Sequence, residues 1–318
     1  MRKETGIFVL LVVLCAVVAV MNPRFLGAEN LGNMARLIGM YGIFSIGVGF
    51  VIITGGIDLS VGSVFALLGI LLAIMLNERH WPPAIAVGAT LGLGTALGLL
   101  NGFLVTKVRL QPFIVTLCGL LFYRGLARFI ADDETKGFGR AEGFESLREL
   151  TTGTFLGLPM PFLILLVLSA AMWVVLHRSV YGRHLFAVGR NEDAARYSGV
   201  DTNRVVGSAY VVSGLLAGVA AILIAFYTNS ISPSSHGNFY ELYGIAAAVL
   251  GGCSLRGGEG SIIGILLGTV LLQVLQNLVN LLGIPSSLNF AVMGAVILIG
   301  VLADQLLSRK SSLGSQHP

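Results

Sequence analysis

The sequence predicts an all-α fold: a polytopic integral membrane helical bundle with about ten transmembrane segments. Three observations predict it. Hydrophobic residues fill 55% of the 318 positions and charged residues only 11%, where a soluble domain carries about 25% charged. Mean hydropathy is +0.86. Glycine occurs 42 times, and glycine is more frequent in membrane helices than in soluble ones.

A helix crossing a hydrocarbon core of about 30 Å needs about 20 apolar residues. Candidate spans lie near 5–22, 34–54, 61–77, 83–106, 112–131, 161–177, 205–226, 240–253, 262–283 and 285–304. The runs 61–77 and 240–253 are short. Residues 1–22 begin with Arg2 and Lys3 and share that basic start with a signal peptide. The apolar run is nearly long enough to span and many spans follow, so it reads as a retained first helix. The whole chain, 1–318, reads as one transmembrane domain.

Loop charge orients the spans. Residues 132–149 carry Asp132, Asp133, Glu134, Glu142, Glu145 and Glu149 against Lys136, Arg140 and Arg148. Residues 177–204 carry Arg178, Arg183, Arg190, Arg196 and Arg204 against Glu192, Asp193 and Asp201. Lys and Arg concentrate in cytoplasmic loops, which puts the second segment inside and the first outside. Both termini are also basic (Arg2 and Lys3; Arg309 and Lys310), and an even number of spans places both inside.

Two regions are too long for one crossing. As a straight helix, residues 34–77 would reach about 66 Å at 1.5 Å per residue, more than twice the core. The chain must therefore turn near Gly55 and Gly56, in "GGIDLSVGS". The same arithmetic applies to 240–283, interrupted by "GGCSLRGGEGS" at 251–261. Both stretches begin Gly-Gly and end Gly-Ser, which fits either an internal repeat of 34–77 and 240–283 or shared turn chemistry.

Several chemistries are excluded by pattern. There is no G-x-x-x-x-G-K-[ST] phosphate loop, no H-E-x-x-H pair and no G-x-S-x-G elbow. Cys15, Cys118 and Cys253 are far apart and form neither a disulfide framework nor a zinc pattern. No basic stripe interleaved with aromatics accompanies the net charge of +4, so no nucleic-acid partner is expected. The spans 83–106 and 205–226 carry no Asp, Glu, Lys, Arg or His, against the buried relays of proton- or ion-driven carriers.

The longest inward loop contains "AVGRNEDAARYSGVDTNR" at 187–204. Asn191 is a good N-cap, and Glu192 and Asp193 suit the positive end of a helix dipole. Ala194 and Ala195 favour helix, Arg196 sits near the last turn, and Gly199 suits the residue after it. A helix of about two turns is marginal alone in water. It is either an interfacial helix on the lipid or a knob for a partner's groove. The apolar face that a lipid-surface helix needs is weak.

These residues carry a resemblance. The chain resembles the permease subunit of bacterial sugar ABC importers of the ribose-permease type. "GGIDLSVGS", "GLLNGFLVTKVRLQPFIVTLCGLLFYRG" (98–125), "AVGRNEDAARYSGV" (187–200) and "YELYGIAAAVLGGCSLRGGEGSIIG" (240–264) match in order and spacing. The resemblance implies a second permease subunit, separate cytoplasmic ATPase subunits and a periplasmic sugar-binding protein, in a bacterial inner membrane. It implies that ATP is used by the partner and that this chain binds no cofactor or metal. The capped helix at 191–198 would be the coupling helix docking the ATPase. A secondary carrier or channel for small polar solutes is the alternative.

Candidate pathway or gate residues are Asp58, Ser60, Asn101, Phe113, Arg124 and Asn277. Asp58, expected at a turn on the cytoplasmic side, is either an Asx-type turn or helix cap assisted by Ser60, or a gate. Arg124 and Arg128 share a helix face; they either snorkel to the outer interface or line a path. Asn101, Asn277 and Asn280 bond either a neighbouring helix or a sugar hydroxyl. The polar loop 227–242 is either an ordinary solvated loop or a contact for the sugar or its delivering protein.

Overall fold

The computed structural model describes residues 3–139 and 143–285, with positions 288, 291, 294, 295 and 298 beyond them. Its helices are α1 (Lys3–Met21), α2 (Ala28–Ile53), α3 (Val61–Ala73, continued by a π-turn at Ile74–Glu78), α4 (Pro83–Thr106), α5 (Pro112–Ile130), α6 (Glu145–Thr152), α7 (Met160–His177), α8 (Val180–Arg190), α9 (Glu192–Tyr197), α10 (Thr202–Thr228), α11 (Tyr240–Leu250) and α12 (Ile262–Leu281). Among the described residues, eight are long and apolar enough to cross a membrane: α1, α2, α3 with its π-turn, α4, α5, α7, α10 and α12. The expected span at 240–253 is the shorter α11, of 11 residues. The expected span at 285–304 lies mostly outside the described residues.

α2 and α10 form the centre. Their buried residues run nearly unbroken from Ile38 to Ile53 and from Tyr210 to Phe226. α4 docks on α10 through glycines. Gly94, Gly98 and Gly102 are four apart and so share one face. A methyl on them would meet the carbonyl oxygens of Gly214, Tyr210 and Gly207 in turn. Lipid is as apolar as leucine, so helices in a membrane gain by close backbone packing, and small residues permit it. α2 uses the same device, with Gly39 against the Pro161 backbone at the start of α7 and Gly47 against Ser213 of α10.

Two helices, α3 and α11, follow non-helical stretches, and they begin beside each other. After α2, residues 54–60 are non-helical before α3 starts, and Gly55 takes the left-handed conformation (φ 83°) that a side chain would strain. After α10, Ser230–Ile231 (β4) pairs antiparallel with Lys136–Gly137 (β1). The chain then runs along α3: Ile231 packs on Gly69, and Gly237 on Gly62. α11 starts next to the first turns of α3, with Tyr240 and Phe65 rings 5.5 Å apart and Phe44 of α2 stacked on Tyr240. Phe44 lies nine residues, about 13 Å, before the end of α2. Non-helical backbone at that depth is tolerated only where protein surrounds it, and here α2, α5, α10 and α11 do so.

The acidic segment between α5 and α7 closes the other face. Phe138 and Phe144 pack on Phe226 at the end of α10. Lys136 reaches Glu78 at 3.1 Å, and Arg128 pairs with Asp133. Hydrogen bonds from Arg128 hold the Asp133 carboxyl below its ordinary range. The segment also holds α6 and a hairpin of Thr154–Phe155 (β2) and Leu158–Pro159 (β3).

Overpacking tests the α4–α10 seam. Gly98→Ala is expected to cost about 1–3 kcal/mol and lower the melting temperature of the purified protein, because its methyl overlaps the Tyr210 carbonyl. Gly88→Ala on the same helix, where nothing lies within 4 Å, is expected to leave that temperature unchanged.

Candidate functional site

The turn between α2 and α3 carries a carboxylate into the bundle. Asp58 is only 3% exposed. Its Oδ1 accepts from the Ser60 amide (3.0 Å) and the Ser60 hydroxyl (2.7 Å), which is an Asx turn. Its Oδ2 accepts from the Ser213 hydroxyl of α10 at 2.9 Å. The Ser60 oxygen in turn accepts from Asn101 Nδ2 of α4 (2.9 Å), and Tyr123 of α5 donates to Asn101 Oδ1 (3.1 Å). The backbone of the turn is bonded too. Tyr210 and Thr116 both donate to the Ile57 carbonyl. An isolated ionised carboxylate in an apolar medium is prohibitively costly, so this one brings its own donors.

The small burial cost expected for Asp58 is therefore corrected: its turn still lies against Gly257 and the end of α8 on the basic side, but its carboxylate is enclosed by protein. A carboxylate accepts hydrogen bonds, and the donors are in the interior, so its oxygens turn inward to reach them. Nor does Asp58 cap α3. Ser60 holds the cap position, and its side chain bonds Asp58 rather than the helix.

A second layer lies just beyond. Arg124 of α5 donates through Nη1 to the carbonyls of Pro233 (3.0 Å) and His236 (2.6 Å) and through Nη2 to that of Gly62 (3.4 Å). It binds the start of α3 to the stretch that leads into α11. The snorkelling expectation fails for Arg124, since the Pro233 and His236 carbonyls lie outside helices and attract the guanidinium inward. Arg128 does lie at the surface, paired with Asp133. Glu241, in the first turn of α11, is buried beside Gly62. The segment 227–242 is thus partly built into the bundle rather than an ordinary solvated loop.

Of the six pathway candidates, Asp58, Ser60 and Asn101 come together, and Arg124 stands next to them. Asn277 is elsewhere, in a reciprocal amide pair with Asn30 between α12 and α2 (2.7 and 3.1 Å). Asn280 is exposed. Phe113, in the first turn of α5, is 47% exposed on the outside of the bundle. Sequence reasoning missed Ser213, Tyr123 and Tyr210. A single hydroxyl in an apolar helix carries no distinguishing pattern.

On the basic side two short helices project. The first, α8, was not anticipated, although Ser179 caps it by accepting from the Gly182 amide and Leu185 and Val188 share its buried face. Asn191 ends α8 and caps α9, accepting from the Ala194 amide at 2.9 Å. Arg196 bonds Glu192 and Thr202 and lies 3.9 Å from Asp193, and Gly199 turns the chain at φ 85°. Ala195 is buried; Glu192, Asp193, Ala194 and Arg196 are exposed, and Tyr197 is 92% exposed.

A bundle of apolar helices with two that follow non-helical stretches, a polar junction where they meet and a helical projection on the basic side has the architecture of a membrane transport permease. The chain belongs to the family described as the permease component of the branched-chain amino acid transport system, whose profile matches residues 30–301. It is similar to the ribose import permease protein RbsC of Bacillus subtilis strain 168, at 39% identity over 95% of this chain and 93% of the relative. The Escherichia coli K12 protein of that name is 38% identical, again over 95% and 93%. The autoinducer 2 import system permease protein LsrD of Enterobacter sp. strain 638 is 33% identical, also over 95% and 93%. No solved structure matches the chain.

Removing one donor tests the junction. Ser213→Ala leaves Asp58 Oδ2 buried without a partner and is expected to cost about 1–3 kcal/mol. In a double-mutant cycle read by thermal unfolding, Asp58→Ala with Ser213→Ala is expected to cost less than the sum of the two single changes.

Proposed function

We propose that this chain is the transmembrane permease subunit of an ATP-driven importer for a monosaccharide or a related polyol. The supporting observation is near end-to-end identity of 36–39% with ribose import permeases. The autoinducer 2 permeases match less closely, which favours a simple sugar over that ligand class. In this reading the chain lies in a bacterial inner membrane with both termini in the cytoplasm, and it is not itself an enzyme. ATP is bound and hydrolysed by cytoplasmic ATPase subunits, a periplasmic sugar-binding protein delivers the solute, and a second permease copy or paralogue completes the pathway.

The capped helix α9 is the docking element. A helix of six residues is marginal alone, but here Asn191 caps it and Arg196 braces it against Glu192 and Thr202. It presents Tyr197, Glu192 and Asp193 outward, and a tyrosine of that exposure is an effective anchor in a partner's groove. Closure of the ATPase dimer would draw the projections of the two permeases together and reorient the spans around the path.

The test is reconstitution. In liposomes holding the permease, its ATPase and its binding protein, D-ribose uptake is expected to require all three and ATP. Full-rate uptake by the permease alone would sink the proposal. Charge reversal at Glu192 and Asp193 is expected to abolish co-purification of the ATPase while leaving the permease folded, as read by an unchanged elution profile.

A further inference from the structure

The two Gly-Gly turns lie against each other, and the end of α8 lies against both. The Gly258 amide donates to the Ile53 carbonyl at 2.8 Å, joining the segment after α11 to the last residue of α2. A methyl on Gly189 would overlap both that carbonyl and the Gly258 nitrogen. A methyl on Gly257 would lie 2.6 Å from the Gly189 carbonyl and 2.8 Å from the Gly55 nitrogen. Gly258 faces the backbone and side-chain stem of Arg190. Here three backbone segments meet, at 53–55, 189–190 and 257–258, with only the stem of Arg190 packed among them.

We propose that Gly189, Gly258 and the Ile53 carbonyl form a stiff backbone joint through which displacement of α9 reaches the Asp58 turn, so that Gly189 and Gly258 are positioning residues of the transport cycle. The inference rests on the reading of α9 as the ATPase-docking helix. Three observations carry it. First, α8 and α9 share Asn191 as cap, so no linker separates α9 from the joint. Second, Asp58 is five residues beyond Ile53, and the turn between them is fixed to α10 and α5 by the bonds to the Ile57 carbonyl. Third, among the described residues the hydrogen bonds from this projection to α10 run through side chains: Tyr181 with Ser208, and Arg196 and Glu192 with Thr202. Side chains absorb a displacement by changing rotamer, whereas close-packed backbone transmits it.

The experiment uses the purified complex of this chain with its ATPase in nanodiscs, and reads amide exchange with and without ATP. Residues 191–198 are expected to be protected by the ATPase in every case. In the wild type, ATP is expected to change exchange of residues 54–60 severalfold. In Gly189→Ala that response is expected to vanish while the protection at 191–198 and ATP hydrolysis persist. Should the added methyl prevent folding, Arg190→Ala, which only removes the stem packed on Gly258, is expected to reduce the response at least twofold. An undiminished response in the variant that folds, or none in the wild type with 191–198 protected, overturns the joint. Absent protection at 191–198 instead overturns the docking of α9.

Discussion

The centre of this bundle is arranged around one buried carboxylate. Asp58 sits on non-helical backbone between two apolar helices, where every unpaired polar group is costly. Its three hydrogen bonds come from its own turn and from α10, and Asn101 and Tyr123 extend the network to α4 and α5. Four elements are thus held in one register by hydrogen bonds at their centre. The glycine seams do complementary work. They bring α4 and α2 close enough to α10 for short side chains such as Ser213 and Asn101 to reach the turn.

The second non-helical stretch follows the same physical rule with different chemistry. The stretch before α11 also has carbonyls without helical partners, and a guanidinium satisfies them rather than a set of hydroxyls. Arg124 bonds three carbonyls from two segments, which no neutral side chain could do from the same position. Arginine is therefore used here as a clamp on backbone, while Arg128, one turn further along, is an ordinary surface ion pair.

The fold class was legible because it rests on bulk quantities. Apolar run length locates helices, and the impossibility of a 44-residue crossing at 34–77 places the turn at Gly55. Caps were legible for the same local reason: Asn191 and Ala194 are neighbours in sequence. The burial of Asp58 was not. Nothing near it in sequence differs between an exposed carboxylate and an enclosed one, because the deciding donor, Ser213, is 155 residues away. Arg124 misled in the same way. Its closeness to Asp132 and Asp133 suggested the outer surface, while its true partners lie over a hundred residues further on. The amphipathic helix α8 was missed for a milder reason, since its buried face is narrow and its exposed face is basic.

The meeting of α3 and α11 has one more consequence. Each helix N-terminus acts as roughly half a positive charge, and both point into the same interior region. Arg124 adds a full positive charge beside them, and the carboxylates Asp58 and Glu241 stand opposite. The two helices are thus joined at their first turns by groups of opposite sign as well as by aromatic contact, so the place where they meet is held by charge and by packing together.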